Sequence, residues 1–130
     1  MSFSDYLEVE LLDMIVGKTD YTMPTVYIGL STADPLDDAS GLAEPVGSGY
    51  ARVATTGVTW EVAAAGATQN AAAITFPTAS GAWGTITHFA LFDALTAGNM
   101  LAHGALGAPQ AITTNQVARF AAGALDITLG

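Results

Sequence analysis

The chain has 130 residues, no cysteine and a formal net charge of −9, which comes from 12 acids against 3 Lys or Arg residues. The missing cysteines exclude disulfides and thiolate metal sites, and the acidity disfavours binding to nucleic-acid phosphates. The hydrophobic fraction of 51% is spread over short segments, so no membrane-spanning helix is expected. The first ten residues carry three acids and no Lys or Arg, the opposite of a signal peptide. We expect residues 1–130 to form one domain.

The low content of charged residues is the most informative feature of the composition. Only 12% of residues are charged, against about 25% in ordinary soluble domains. Interface cores are depleted of charge, so this composition favours a surface that is largely covered in an assembly. The alternative is a weakly charged, Thr-rich monomer.

The chain begins with its one predicted helix, within residues 1–17. Ser2 or Ser4 can cap it, and acids in its first turn suit the helix dipole. Gly17 provides a C-terminal stop. The apolar face has the i, i+4, i+7, i+8 spacing of an amphipathic helix. It consists of Leu7, Leu11, Met14 and Ile15, and Leu12 widens it.

After the helix the apolar pattern alternates with period two, as in strands that have one buried face. Clusters of Gly, Pro, Asn and Asp separate the alternating segments, as turns require. Many short strands without a second helix indicate a mainly-β, antiparallel β-sandwich, jelly-roll-like, with one short N-terminal α-helix. The predicted strands, all within residues 25–129, are Thr25–Ser31, Tyr50–Thr55, Val58–Val62, Ala71–Phe76, Thr85–Phe92, Met100–Leu106, Val117–Ala121 and Leu125–Leu129.

The segment from Ile86 to Phe92 is apolar on both faces. Alternation places Ile86, Ala90 and Phe92 on one face and Phe89 and Leu91 on the other. Such a strand needs cover on both sides. We expect the helix or another subunit to cover its outer face.

The two histidines are the only imidazoles of the chain. If the hairpin after Phe92 is symmetric about residues 95–96, His88 lies opposite His103. A cross-strand His pair could bind a metal or respond to pH, but two nitrogens make an incomplete site. We therefore interpret both as structural histidines and predict neither a metal nor a cofactor.

The acidic loop Asp34–Glu44 is the other possible site. Its carboxylates resemble a calcium loop, yet the spacing lacks the alternating carboxylates and central Gly of an EF-hand. A solvated or partner-binding loop is expected, with a bound cation as the alternative. No G-x-S-x-G elbow occurs, so no catalytic residue is assigned. A glycosidase-like pair of carboxylates distant in the chain stays open.

Six segments carry a resemblance that covers nearly the whole chain in order. They resemble small virion structural proteins of tailed bacteriophages, which are often labelled tail-fibre proteins. The resemblance implies a β-sandwich component of the phage particle and supplies no catalytic residue. The segments are residues 1–8 (MSFSDYLE), 25–35 (TVYIGLSTADP), 49–53 (GYARV), 73–77 (AITFP), 83–89 (WGTITHF) and 120–129 (FAAGALDITL).

Three large side chains are candidates for contacts within or between subunits. Arg52 lies among apolar neighbours and requires a bidentate partner such as an acid, which suggests an internal or interfacial clamp. Trp60 and Trp83 are large anchors for the core or for an interface. Together with His88 and His103, they form our set of interface candidates.

The sequence therefore predicts a non-enzymatic structural protein of the virion that works through protein–protein interfaces. Its expected partners are other virion proteins, either the major capsid protein or tail proteins, and further copies of itself, for example as a trimer. Contact with nucleic acid or membrane is not expected. Two roles are open: a capsid decoration or cement protein, and a tail fibre or appendage protein. A carbohydrate-binding module with exposed aromatic side chains is the alternative from another class.

Overall fold

A computed structural model describes residues 1–129 of the chain. Antiparallel strands dominate, and one α-helix lies near the N-terminus. The predicted mainly-β class with a short N-terminal helix is therefore confirmed. In chain order the elements are β1 (Ser2–Phe3), α1 (Asp5–Ile15), β2 (Tyr27–Ser31), β3 (Val53–Ala54), a 3-10 turn (Gly57–Thr59), β4 (Ala67–Gln69), β5 (Ile74–Thr75), β6 (Gly84–Phe92), β7 (Met100–Ile112), β8 (Arg119–Phe120) and β9 (Asp126–Thr128).

Helix α1 begins where the sequence predicts a cap. The Ser4 hydroxyl accepts a hydrogen bond from the Leu7 amide, while Asp5 and Glu8 occupy the first turn. The residues before it form β1 rather than more helix, because Ser2 pairs with strand β7. The helix ends at Val16, whose amide bonds back to Leu12, and Gly17 follows with φ +77°.

Only the first half of α1 is packed against the rest of the chain. Leu7 is buried and Leu11 is half-buried, whereas Leu12, Met14 and Ile15 are exposed. The apolar face that the spacing predicts is therefore buried only in part, and its last turn stays exposed. The apolar side chains of the last turn thus face outward.

The central sheet has five antiparallel strands in the order β1-β7-β6-β2-β3. The remaining strands form two separate two-stranded ribbons, β4-β9 and β5-β8. The predicted sandwich is not confirmed, because within residues 1–129 these ribbons do not join into a second continuous sheet. Asn70 holds the C-terminal ribbons together: its buried amide donates to the carbonyls of Ala72 and Ala121 and accepts from the Leu125 amide.

The β6–β7 hairpin differs in register from the symmetric prediction. Phe92 pairs with Met100 rather than with Asn99, and Leu101 is an extra residue between two consecutive pairs. Together these two shifts place His103 opposite Ala90. The predicted pairing of His88 with His103 is therefore wrong: His88 lies opposite Ala105 and, on its other side, opposite Ser31.

A second irregularity changes the faces of β6. The ladder shifts between Ile86 and His88, and a bulge of this kind breaks the strict alternation of side chains. On the near side of this shift Ile86 packs in the main core with Phe89 and Leu91, not with Ala90 and Phe92 as predicted.

One predicted strand is absent, and five are shorter than expected, two of them by four residues. Residues 58–62 do not form a strand: the 3-10 turn occupies their beginning, where Thr56 and Thr59 cap each other reciprocally. Ala71–Phe76 contributes only the two residues of β5, and Tyr50–Thr55 only the two of β3.

The sheet is covered on both faces, as the two-sided apolar pattern of β6 requires. The main core lies on one face and includes Leu7 of α1, Ile28, Phe89 and Leu125. A smaller cluster of Ala90, Phe92 and Met100 lies on the other face, and Ala39 and Leu42 pack against it. Within the chain the acidic loop therefore covers the outer face, and not the helix as predicted, whereas additional cover by another subunit stays a prediction.

Candidate interaction surfaces

Arg52 lies at the centre of a buried polar network on the outer face of the sheet. Its Nε and Nη2 atoms donate to the two carboxylate oxygens of Glu44 at 2.8 and 2.7 Å. Its Nη1 atom donates to the carbonyls of Ala94 at 2.8 Å and Ala97 at 2.9 Å. The guanidinium carbon lies 3.4 Å from the centre of the Phe92 ring. Arg52 thus joins three segments of the chain as an internal clamp.

Tyr50 completes this network. Its hydroxyl donates to Glu44 Oε1 at 2.8 Å and accepts the Leu30 amide of β2 at 2.9 Å. Burial raises the pKa of Tyr50 well above its ordinary value. The phenol therefore stays protonated and keeps its role as donor to the carboxylate.

The backbone of β2 must come close to this network, and Gly29 permits it. A Cβ atom at this position would lie 2.7 Å from Glu44 Oε1 and 2.7 Å from the Phe92 ring. The absence of a side chain at Gly29 thus makes room for the carboxylate over the sheet. We name Arg52, Glu44, Tyr50, Phe92 and Gly29 the Arg52 cluster.

The acidic loop is fastened to the sheet a second time at His103. The His103 ring is buried, and its Nε2 atom lies 2.8 Å from Asp37 Oδ1. An ionised carboxylate can only accept, so Nε2 carries the proton of this bond. The hydrogen bond to His103 holds the pKa of Asp37 below its ordinary value. Asp34 Oδ1 approaches the other ring nitrogen at 3.7 Å.

The carboxylates of the acidic loop are used for local structure. Asp34 accepts the Leu36 amide, and Asp38 accepts the Ser40 amide, each across two residues. Within residues 1–129, no cluster of three or more His, Asp or Glu side chains has the arrangement of a metal site.

The two tryptophans differ in accessibility. Trp83 is buried, contacts the Tyr50 ring edge-to-face at 5.3 Å between centroids, and donates from Nε1 to the Ser48 carbonyl. Trp60 is half-buried, and its Nε1 atom donates to Thr55 Oγ1 at 3.1 Å.

The five interface candidates are thus distributed between the interior and the surface. Arg52, Trp83 and His103 are buried, whereas Trp60 and His88 are half-buried and within reach of a partner. His88 lies 2.8 Å from the Thr87 hydroxyl and is paired in the ladder with Ala105 rather than with His103. Their participation in contacts between subunits stays a prediction.

Three polar partners were not identified from sequence: Glu44, Tyr50 and Asp37. For Glu44 a signal existed, since Arg52 requires an acid and Glu44 is the acid nearest to it in sequence on its N-terminal side. No sequence signal connects Asp37 with His103, because 66 residues separate them and only the fold of the loop brings them together.

The surface carries many large apolar side chains. In the part of the chain that is described, fourteen of them are exposed, and five belong to the segment Val9–Val16. None of the fourteen is aromatic. Within the described range, no helix combines the length and apolarity needed to cross a membrane.

The fold, with a mainly-β architecture and one N-terminal helix, is compatible with the class that the sequence predicts, a small structural protein of a phage particle. A family model described as podophage GP4 fiber I protein gp80 matches residues 2–128. The match spans almost the entire chain, so the chain belongs to this family of podophage fibre proteins. Comparison with curated proteins gives no match. The protein is a structural component of the virion, and the predictions of phage family and location are confirmed.

Proposed function

We propose that the chain is a non-enzymatic fibre or appendage component of the podophage tail that acts through protein–protein interfaces. The single observation that carries the proposal is the distribution of its side chains. The buried charged groups are paired inside the chain, as in the Arg52 cluster, whereas fourteen large apolar side chains of the described residues are exposed. Five of the fourteen lie together in the segment Val9–Val16, and a group of neighbouring exposed apolar side chains marks contact with other proteins.

The family description supports a fibre over a capsid decoration or cement protein. The low charge content supports assembly with other virion proteins and with further copies of the chain, for example as a trimer. Half-buried Trp60 and His88 are the two sequence candidates that such contacts can use directly.

A carbohydrate-binding module would need aromatic side chains exposed on one sheet face to stack on sugar rings. In residues 1–129 every Phe, Tyr and Trp is buried or half-buried. This distribution gives no support to the alternative, and it favours protein partners.

The position and copy number of the chain in the particle test the proposal. Purified virions would be analysed by quantitative mass spectrometry, and by electron microscopy with a label on this chain. The proposal predicts label at the tail and a small number of copies. Label spread over the head with hundreds of copies would instead establish a decoration protein.

The non-enzymatic part is tested separately with purified protein on peptidoglycan and on host polysaccharide. No turnover is expected. Sustained hydrolysis that a single Asp or Glu substitution abolishes would contradict the proposal.

A further inference from the structure

The outer surface of helix α1 carries a continuous apolar patch. Val9, Leu12, Ile15 and Val16 are 58%, 62%, 74% and 67% exposed. We name these four residues the α1 patch. Single exposed apolar side chains are normal on proteins, but a group of neighbours marks an interaction site.

The helical period explains why these side chains lie together. Val9, Leu12 and Val16 are spaced i, i+3 and i+7, which places them on one stripe of the helix. Leu7 and Leu11, on the opposite side, fasten the helix to the core. The helix therefore has two apolar faces and uses only one of them within the chain.

Acidic side chains border the α1 patch. Glu8 lies one turn before Leu12, and Asp13 lies one turn after Val9, so a carboxylate lies on each side of the stripe. Asp5 is exposed at the N-terminal end of the stripe. Lys18 is the only cation of the first 51 residues.

This border of acids disfavours a second copy of the chain as the occupant. In a ring such as a trimer, a different face of the chain would meet the patch, and among the described residues Lys18 and Arg119 are the exposed Lys and Arg side chains that it could offer. A twofold interface places the same surface of two copies together, which would bring Glu8 and Asp13 of one copy close to the same carboxylates of the other. Like charges brought together across an interface are costly. A partner with the opposite charge gains from the same arrangement.

We propose that the α1 patch docks into an apolar groove, bordered by Lys or Arg side chains, on a different protein of the virion. The binding mode is that of an amphipathic helix in a groove, with Leu12 as the central anchor and Val9 and Val16 one turn on either side. The acids on the flanks select the partner and its orientation. This inference rests on the proposed function as a virion protein and adds the contacting surface and the chemistry of the partner.

Incorporation of variants into particles tests the apolar part. Leu12→Asp, introduced into the phage gene, is expected to lower the copies per purified virion by at least about tenfold. A tenfold loss of affinity corresponds to a loss of only about 1.4 kcal/mol of binding free energy. Val62→Asp is the matched control, because Val62 is 95% exposed outside the patch. It is expected to enter particles like the parent chain. Equal incorporation of the two variants would overturn the proposal.

The thermal unfolding midpoint of each purified variant separates docking from folding. Leu12 is exposed, so Leu12→Asp is expected to unfold at nearly the parental temperature. If it unfolds much earlier, the milder Leu12→Ser takes its place in the same comparison. Parental incorporation of a folded Leu12→Asp chain would overturn the patch but leave the virion function intact. Absence of the parent chain from particles would overturn the function itself.

The acidic border has its own test. The double variant Glu8→Gln with Asp13→Asn is expected to lower incorporation several-fold, because it removes two charges that face the partner. Asp20→Asn with Glu61→Gln makes the same change in net charge outside the patch and is expected to have no effect. Equal effects of the two pairs would show that only net charge matters and would overturn the predicted Lys or Arg border.

A photoreactive amino acid at position 12 identifies the occupant inside the intact particle. The expected product joins this chain to a different virion protein at an apolar segment with Lys or Arg nearby. A product that joins two copies of this chain, or no product with any virion protein, would overturn the proposal.

Discussion

The Arg52 cluster and the α1 patch use side chains in opposite ways. In the cluster, charged and hydroxyl groups lie inside the chain and bond to one another over the Phe92 ring. In the patch, aliphatic side chains lie at the surface and lack cover. The first region makes the fold specific, because few arrangements satisfy so many buried polar atoms. The second is costly in a free chain and useful only in an assembly.

The difference indicates which substitutions affect folding and which affect assembly. Changes in the cluster are expected to lower the free energy of unfolding of the isolated chain. Changes in the patch are expected to leave that free energy nearly unchanged and to affect incorporation into particles. The following variants test the first half of this division, from the largest expected effect to the smallest.

Arg52→Leu is expected to have the largest effect. It leaves the carboxylate of Glu44 and two carbonyls without their donor in a site where the Arg52 side chain is 5% exposed. Breaking one partner of a buried ion pair costs about 3–5 kcal/mol. Urea unfolding measures the loss, with Arg119→Leu as the control because Arg119 is exposed. A stability equal to that of the control would contradict the clamp.

Gly29→Ala is expected to lower stability by about 1–3 kcal/mol, because the added methyl group overpacks the space between the Glu44 carboxylate and the Phe92 ring. Gly57→Ala is the matched control, since no atom lies within 4 Å of the Cβ position there. Thermal unfolding of both variants gives the comparison. Equal midpoints would show that the cluster has room for a side chain.

Ser4→Ala removes the N-cap of α1 and a buried hydroxyl that donates to the Met100 carbonyl. A lost cap costs about 1 kcal/mol. Thr22→Ala, at an exposed position outside the helix, is the control. A chemical denaturation curve indistinguishable from that of the control would mean that packing alone fixes the start of the helix.

Asp37→Asn is expected to lower the stability at neutral pH slightly and to reduce the further loss of stability in acid. The pKa of Asp37 is lowered by its hydrogen bond to His103. The ionised carboxylate therefore stabilises the fold above its ordinary pKa, and this contribution is lost as the pH falls through the lowered pKa. The parent chain should lose stability in acid more steeply than the variant. Unfolding midpoints measured between pH 7 and strong acid give the slope of stability against pH for each chain. If Asp37→Asn changes this slope no more than Asp20→Asn does, the contact between Asp37 and His103 is contradicted.

The sequence alone predicts the features that depend on a few neighbouring residues. The serine cap (Ser2 or Ser4), the acids of the first turn and the two-sided apolar pattern of β6 are all properties of neighbouring residues, and the structure has each of them, with Ser4 as the cap. The need of Arg52 for an acid also followed from its apolar surroundings. These features depend on short segments, whose physical requirements can be read directly.

The predictions from sequence are wrong where a single residue or a local cap changes which segments pair in the sheet. Leu101, as one extra residue in β7, shifts the strand and separates His103 from its predicted partner. Likewise, the apolar alternation of residues 58–62 resembles a strand, but the reciprocal cap of Thr56 and Thr59 stabilises a turn. The outer face of the sheet is closed by a loop whose path has no period, so no apolar pattern identified Asp37 as a partner of His103, and only the need of Arg52 for an acid pointed towards Glu44.

The direct test of the division between the two regions is a reconstruction of the intact particle at side-chain resolution. Our account predicts that Arg52 remains enclosed and paired with Glu44 inside one chain, while Leu12 and Val16 are covered by a different virion protein. An α1 patch left open to solvent in the particle, with Arg52 turned outward to bind a partner instead, would contradict it.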